Sequence, residues 1–226
     1  MVVALVAGKP SSYILFRTGS IFANFPPASK RRNAITSPLR ILPAFVLIYQ
    51  NGFQGVGVRE IAQKANLTIG AFFYHFPTKN HVGYAIIDEF LSQGIWDRWI
   101  LPLKNFDDPV EGIIRTFEKT FEEWPDEFVS RGCPLNNLGQ EMSAIDPEFQ
   151  KKAKELLSSW FQKTKTYLDL AKKKKILKTK TDTMKLAEFI VTFQEATFAM
   201  GKVMNDRKVY DSLYLSFRDH LLNHCN

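Results

Sequence analysis

The sequence predicts an all-α fold in two parts, a small N-terminal bundle of three short helices and a larger C-terminal helical domain. Every strong apolar pattern repeats at spacings of three and four, the period of a helix, and no convincing strand pattern interrupts it. The charged residues are also unevenly distributed along the chain. Residues 1–77 carry eight Lys and Arg against a single acid, Glu60, whereas residues 78–226 balance 22 basic and 22 acidic side chains. Such a basic segment indicates a polyanionic partner or, alternatively, a solvated basic tail.

Length and composition limit the class of protein. With 226 residues, 45% of them hydrophobic, the chain can bury a full core. We expect no membrane span, because charged residues, Gly or Pro interrupt each apolar stretch, and no signal peptide, because no basic region precedes Val2. Two cysteines are too few for a disulfide framework. A cytoplasmic protein without cofactor or metal is therefore expected.

The N-terminal elements follow from spacing and capping. Residues 1–33 contain prolines and no sustained period, so we predict an irregular extension, followed by a domain over residues 34–80. The first helix is predicted from four residues on one face, Ile41, Ala44, Phe45 and Ile48, and ends near Gly52. The second is predicted from Val58, Ile61, Ala62 and Ala65. After a turn at Asn66-Leu67, Thr68 caps a third helix that turns Phe72 and Phe76 inward.

The remainder forms the second predicted domain, residues 81–226. Pro77 ends the third helix, and Thr78 offers a cap for the longer helix that follows. Further helices are predicted at about 107–123, 134–143, 147–174, 183–204 and 208–224. His220, His224 and Cys225 have ligand-like spacing, but we expect them to lie in a frayed tail and predict no metal site.

The stretch Val58 to Phe76 meets a requirement for DNA recognition. Two short helices joined by a tight turn can place the second helix in a major groove about 12 Å wide, while the first braces it. The residues expected to face outward from the third helix are Ile69, Ala71, Tyr74 and His75.

Three motifs together resemble the TetR (tetracycline-repressor-like) family. They are Gly52-Phe53, Val58-Arg59-Glu60-Ile61-Ala62, and the segment from Gly70 to Lys79, which follows the pattern G-x-x-Y-x-x-F-x-x-K with Phe73 in place of the tyrosine. The resemblance implies a helix-turn-helix DNA-binding domain and a C-terminal ligand-binding and dimerisation domain. It implies phosphate contacts from Arg59 and Lys79, backbone contact from Thr68 and base contacts from the third helix. The DNA-binding residues so assigned are Arg59, Thr68, Ile69, Gly70, Ala71, Phe73, Tyr74, His75 and Lys79.

Three positions depart from the family pattern. Phe73 lacks the phenolic hydroxyl that usually reaches a phosphate, although Tyr74 can substitute for it. Gly57 stands where a Ser or Thr usually caps the second helix. Pro43 falls inside the expected first helix, which therefore begins there or is kinked.

A looser resemblance covers Gly132-Cys133-Pro134-Leu135-Asn136-Asn137-Leu138. This G-C-x-x-x-N-L segment is similar to one in a branch of the family in which some members sense electrophiles or oxidants through a cysteine. Cys133 is then a candidate sensor, because a helix N-terminus gives a thiol thiolate character. The alternative is a cysteine that serves packing alone.

In the family the effector pocket lies inside the second domain. The candidate ligand or sensor residues are Cys133, Asn136, Asn137, Phe117, Phe121, Trp124 and Gln194. Most aromatic residues of this domain are expected to be core.

The resemblance also assigns a homodimer contact to the last two helices. One stripe is predicted on the first of them, at Ala187, Ile190, Val191, Gln194, Phe198 and Gly201, and apolar surface on the last, at Leu213, Leu215 and Leu221. A two-fold dimer would read a near-palindromic operator with half-sites about 34 to 36 Å apart.

No catalytic residue is predicted, since the chain lacks a dinucleotide fingerprint, a Walker loop and a G-x-S-x-G elbow. We expect a transcriptional repressor released by a small-molecule effector or by thiol modification. The alternative is a helical homodimer that binds a ligand or a protein partner and has lost operator binding.

Overall fold

The computed structural model describes residues 38–123 and 125–226. The predicted extension, residues 1–33, and Trp124 therefore lie outside the described residues. The helices are α1 Pro38–Asn51, α2 Val58–Lys64, α3 Ile69–His75, α4 Lys79–Ala85, α5 Ser92–Ile95, α6 Pro109–Glu123, α7 Asp126–Val129, α8 Pro134–Met142, α9 Pro147–Lys173, α10 Thr183–Met204 and α11 Lys208–Leu222. The described residues form no strand, and the all-α prediction is confirmed.

The first three helices enclose a small core. The face of α1 that the spacing predicts is buried, from Ile41 to Ile48. It shares the buried core with Ile61 and Ala62 of α2 and with Phe72 of α3. Helix α1 begins before Pro43, so this proline lies inside the helix.

Helix α4 continues through irregular turns into the second domain. It passes into a π-helical turn at Ile86–Leu91, the short α5, a second π-helical turn at Trp96–Ile100 and a 3₁₀ turn at Leu101–Asn105. The Phe90 ring in the first of these turns lies 4.3 Å from the Phe45 ring of α1, measured between centroids. The long connection is therefore packed onto the N-terminal helices.

Stacked aromatic rings form the centre of the second domain. Phe117 of α6 is fully buried and stacks on Phe217 of α11, with ring centroids 4.2 Å apart. Phe121, one turn further along α6, contacts Phe198 and Tyr210 at 4.7 and 4.5 Å. Helices α6, α10 and α11 thus share one core.

The stripe predicted for dimer contact belongs to this interior. Its six residues on α10 are all buried within the chain: Ala187, Ile190, Val191, Gln194, Phe198 and Gly201. A Cβ at Gly201 would overlap Tyr210, so this glycine permits the close approach of α11. On α11 Leu221 is buried and Leu213 half-buried, while Leu215 is exposed. The interface prediction is wrong for the buried residues, because spacing reveals an apolar face but not what covers it.

The C-terminal tail is not frayed, contrary to the expectation. Leu177 and Cys225 form an isolated antiparallel bridge. The Lys178 N–H donates to the His224 carbonyl at 2.9 Å, and the Asn226 N–H donates to the Ile176 carbonyl at 3.0 Å. The segment after α9 thus supplies backbone partners that hold the chain end. No helix of the described residues is long and apolar enough to cross a membrane.

Gly83 of α4 allows this helix to pack closely against α9 and against the loop after α1. A Cβ there would overlap the Phe149 ring of α9 and lie 2.8 Å from Phe53 Cε2. We expect Gly83→Ala to lower the free energy of unfolding by about 1 to 3 kcal/mol, because neither ring can move without disturbing the other.

Urea denaturation measures this change, and Gly94→Ala is the matched control. A Cβ at Gly94 meets nothing within 4 Å. Alanine there should stabilise the helix by up to about 1 kcal/mol through its higher propensity. Equal changes in the free energy of unfolding for the two variants would contradict the packing argument.

Candidate nucleic-acid interface

Local hydrogen bonds fix the geometry of α2, the turn and α3. At the start of α2 the Glu60 carboxylate accepts the N–H of the cap residue Gly57 at 2.7 Å, although glycine has no side chain to accept an N–H of the first turn. Helix α2 ends at Lys64, and Asn66 in the turn after it lies in the left-handed region at φ 54°, a conformation that asparagine tolerates. The Thr68 hydroxyl then accepts the Ala71 N–H at 3.1 Å, as predicted for the cap of α3. Two helices of seven residues each are thereby joined by a tight turn.

One face of helix α3 is exposed, and buried side chains on the other face anchor the helix in the core. Phe72 is buried beneath it, and Phe76 is buried just after its end. On the outside Tyr74 is 83% exposed and Phe73 is 47% exposed. The remaining predicted contact residues of this helix are Thr68, Ile69 and Gly70, which are exposed, and Ala71 and His75, which are half-buried. An Ala71 methyl and a Tyr74 hydroxyl on this face suit contact with base edges and phosphates.

The two cations assigned to phosphates differ in their surroundings. Arg59 is exposed in the first turn of α2. The Lys79 ammonium donates to the carbonyls of Phe53 and Val56 at 3.0 and 3.1 Å and lies 4.6 Å from the Phe53 ring centroid. An ammonium has three donors, so one N–H remains for a phosphate. Lys79 therefore also holds the loop between α1 and α2.

Glu141 of α8, in the second domain, also binds the loop between α1 and α2. Its carboxylate accepts the backbone N–H groups of Phe53 and Gln54, each at 2.8 Å. Nearby, the Tyr49 hydroxyl donates to the Gly132 carbonyl at 2.6 Å, and Arg131 donates to the Gln50 carbonyl at 3.0 Å. We call the two hydrogen bonds that Glu141 accepts the Glu141 clamp. The sequence did not predict it or the neighbouring contacts, because the partners are more than 80 residues apart.

The structure does not bring the predicted ligand residues together. Phe117 and Phe121 lie in the aromatic core, and buried Gln194 faces Trp99 and Trp160 around a void of about 10 Å³. Asn137 faces the cleft toward α1, where it donates to the Arg131 carbonyl at 2.7 Å. The candidates that lie near one another at the start of α8 are Cys133 and Asn136.

The expectation that Cys133 gains thiolate character is wrong. It does cap α8, and the Leu135 and Asn136 N–H groups favour its charged form. Burial, together with the negative charge of Glu195, nevertheless raises the pKa of the Cys133 thiol well above its ordinary value. Burial also raises the pKa of Glu195 on α10 to about 7, although a hydrogen bond from the Cys133 thiol lowers this pKa. Glu195 is a residue that the sequence did not single out.

Family models match both parts of the chain. Residues 43–82 match the model for bacterial regulatory proteins of the tetR family, and residues 110–217 match the tetracyclin repressor-like C-terminal domain. The chain belongs to the TetR family.

Curated relatives agree with this membership. The TetR-family chain is 30% identical over 123 residues to the transcriptional regulator AcuR of Cereibacter sphaeroides, a match that covers 51% of this chain and 52% of that protein. It is 23% identical over 124 residues to the HTH-type transcriptional repressor DhaR of a Mycobacterium species, covering 50% and 57%. The chain spans about half the length of the curated relatives it matches.

Solved structures share the fold. A TetR-family regulator from Cytophaga hutchinsonii superposes with a TM-score of 0.74 at 19% identity, covering 83% of this chain and 94% of that one. The regulatory protein TetR from Rhodobacter sphaeroides gives 0.72 at 23% identity, with 81% and 97% covered. The reduced form of Escherichia coli NemR gives 0.71 at 16% identity, with 84% and 96% covered.

Membership confirms the helix-turn-helix architecture and the prediction that the chain is not an enzyme, because TetR-family proteins are transcriptional regulators. The finer assignments, which are the nine DNA-contacting residues, the domain limits and the branch marked by the G-C-x-x-x-N-L segment, stay predictions.

The Glu141 clamp gives a testable consequence in this TetR-family chain. We expect Glu141→Gln to lower the free energy of unfolding by about 2 kcal/mol, because the amide keeps one acceptor but turns N–H donors toward backbone N–H groups. Chemical denaturation measures the loss. Glu155→Gln, at an exposed position of α9, is the matched control. A Glu141 variant as stable as that control would contradict the clamp.

Proposed function

We propose that the chain is a sequence-specific DNA-binding transcriptional regulator that binds a near-palindromic operator as a homodimer. Helix α3 enters the major groove and contacts base edges through Ala71, Tyr74 and His75. Arg59 and Lys79 contact phosphates on either side and fix the register. The domain limits that accompany this proposal are residues 34–80 for DNA binding and 81–226 for ligand binding and dimerisation.

The distribution of exposed apolar side chains is the main support for a dimeric DNA-binding regulator. Eleven large hydrophobic side chains are exposed in the described part of the chain. Three lie on α3, at Ile69, Phe73 and Tyr74, and five lie on the last two helices, at Met200, Val203, Met204, Leu215 and Leu222. Exposed apolar patches mark interaction surfaces. Their two locations are those that a dimeric DNA-binding protein requires.

We propose that the exposed apolar residues of α10 and α11 form the dimer contact, in place of the stripe of α10 that is buried within the chain. Val203 is 74% exposed and Met204 63% exposed near the end of α10, and Leu215 of α11 is 49% exposed. Two such helices from each protomer would form a four-helix contact. A two-fold assembly would place the two copies of α3 to read half-sites about one helical turn apart.

We propose repression with release by a small molecule. The name of the relative DhaR, a transcriptional repressor, favours this sign of regulation. Release is not assigned to Cys133, because its raised pKa leaves the thiol protonated and weakly nucleophilic. Such a regulator meets its operator in the cytoplasm.

The decisive experiment is selection of bound duplexes from a random DNA pool, followed by titration of the winning site at two salt concentrations. The proposal expects a near-palindromic motif and an affinity that falls steeply with salt, because phosphate contacts release counterions. Failure to enrich any sequence, with no binding at low salt, would favour the alternative of a helical dimer that has lost operator binding. Sedimentation of the free protein tests the homodimer in the same preparation.

A further inference from the structure

A cleft lies between α1 and α8, where the N-terminal helices meet the second domain. Its volume is about 380 Å³, within the range of small-molecule sites. Phe45 and Ile48 of α1 line one side, and Leu138 of α8 lines another. Ile86 and Leu91 of the first π-helical turn also line it. The cleft therefore offers an apolar surface that both parts of the chain contribute.

Two cations line the same cleft. Arg131 lies in the turn before α8, and Lys202 lies in the last turn of α10. The Arg131 guanidinium donates to the Gln50 carbonyl, and the Lys202 ammonium donates to the Asn137 side-chain carbonyl, each at 3.0 Å. Neither forms a salt bridge with a carboxylate of the described residues. A guanidinium has five donors and an ammonium three, so each cation keeps donors for a ligand.

The carboxylate that lines the cleft is not their counterion. Glu141 accepts the N–H groups of Phe53 and Gln54, each at 2.8 Å, so its oxygens are directed to the loop after α1. The charged lining residues are thus Arg131, Lys202 and Glu141, with a net charge of one positive unit. A cationic ligand would be repelled by two cations, whereas a carboxylate would supply the charged acceptor that both lack. The planar guanidinium also matches the geometry of a carboxylate.

We propose that this cleft binds a small organic carboxylate, whose head pairs with Arg131 and Lys202. Its apolar body lies against Ile48, Leu91 and Leu138. The assignment of such a carboxylate as the effector rests on the regulator function proposed above, but its binding to the cleft does not.

The position of the cleft provides a route from ligand to operator. Helix α1 belongs to the DNA-binding domain, and the Gln50–Arg131 hydrogen bond already joins it to the turn before α8. A ligand that contacts both sides favours one arrangement of α1 relative to α8, and it shifts operator binding by its difference in affinity for the free and the DNA-bound arrangements. Saturating carboxylate should weaken operator binding about tenfold or more.

The test of binding is calorimetry on the full chain without DNA. The probes are hexanoate, hexanamide and hexylamine, with benzoate, benzamide and benzylamine as an aromatic series and acetate as a head without an apolar body. In at least one series the carboxylate should bind about tenfold or more tightly than the amide and the amine of the same skeleton. Acetate should bind more weakly than that carboxylate, because it buries little apolar surface.

Variants of the two cations separate pairing from a general loss of structure. Lys202→Gln and Arg131→Gln should each weaken carboxylate binding about tenfold or more, and Arg131→Lys should restore part of it, because lysine keeps the charge but not the planar fork. Lys185→Gln removes an exposed cation of the same helix outside the cleft and should change nothing.

Lys202→Gln is the decisive variant if Arg131→Gln fails to fold, because Lys202 is exposed whereas Arg131 also holds the Gln50 carbonyl. Unchanged carboxylate affinity in Lys202→Gln would overturn the proposal. Equal binding of the amide or the amine, or no carboxylate binding, would do so as well.

Because the calorimetry contains no DNA, these outcomes are independent of the operator selection. A carboxylate that binds while no operator is enriched would leave this site in place and remove the regulator. An enriched operator with no carboxylate binding would do the reverse. An enriched operator whose affinity is unchanged by the bound carboxylate would overturn the effector role.

Discussion

Removing the side chains of Tyr74 and His75 together is expected to weaken binding to the selected operator by about 100-fold or more, since each contact to a base edge contributes about 1 to 3 kcal/mol. The fold should tolerate the change. Tyr74 is 83% exposed, and its ring meets the ring of half-buried His75 at 5.1 Å between centroids. The anchoring residues Phe72 and Phe76 are untouched.

Titration of the double variant Tyr74→Ala, His75→Ala with the selected and a scrambled duplex measures the effect. Affinity for the scrambled duplex should change little, because phosphate contacts from Arg59 and Lys79 remain. Leu170→Ala, which truncates an exposed apolar residue of α9, is the control and should bind normally. If the double variant retains specific binding while its thermal midpoint is unchanged, α3 is not the reading helix.

Local sequence signals predicted most of the fold. The expected helix at 147–174 is observed at Pro147–Lys173, and the one at 183–204 has the predicted bounds. Both follow an aspartate, Asp146 or Asp182, whose carboxylate accepts N–H groups of the first turn. Such caps depend on residues two or three apart, which a sequence displays directly.

Contacts between distant residues were not predictable in the same way. The buried stripe of α10 was assigned to a partner protomer, yet α11 of the same chain covers part of it through Tyr210. The Glu141 clamp joins residues 88 positions apart. The π-helical turns at Ile86–Leu91 and Trp96–Ile100 have no local signature either, because a single wider turn hardly changes the apolar spacing of the helix around it.

The candidate sites show the same difference between local signals and contacts of distant residues. The exposed face of α3 was predictable, because a short helix with a cap and two inward phenylalanines leaves only one side outward. The environment of Glu195 was not predictable. Glu195 lies on α10 between buried Gln194 and buried Thr197, and its own burial depends on α8, which the local pattern does not contain.

Glu195→Gln is expected to stabilise the free protein by an amount that grows with pH. In the unfolded chain this carboxyl ionises near its ordinary pKa of 4.5, whereas the folded chain holds the proton until about pH 7. Between these values the folded state binds more protons than the unfolded state, so wild-type stability falls as pH rises. The accumulated penalty is about 3 kcal/mol above pH 7, and glutamine does not incur it.

Urea denaturation of both proteins at about pH 5 and about pH 8 measures this difference, which should be small at the lower pH and about 3 kcal/mol at the higher. Glu155→Gln, exposed on the neighbouring helix, should show no such growth. A pH-independent difference would mean that Glu195 finds a donor in solution, such as an ordered water.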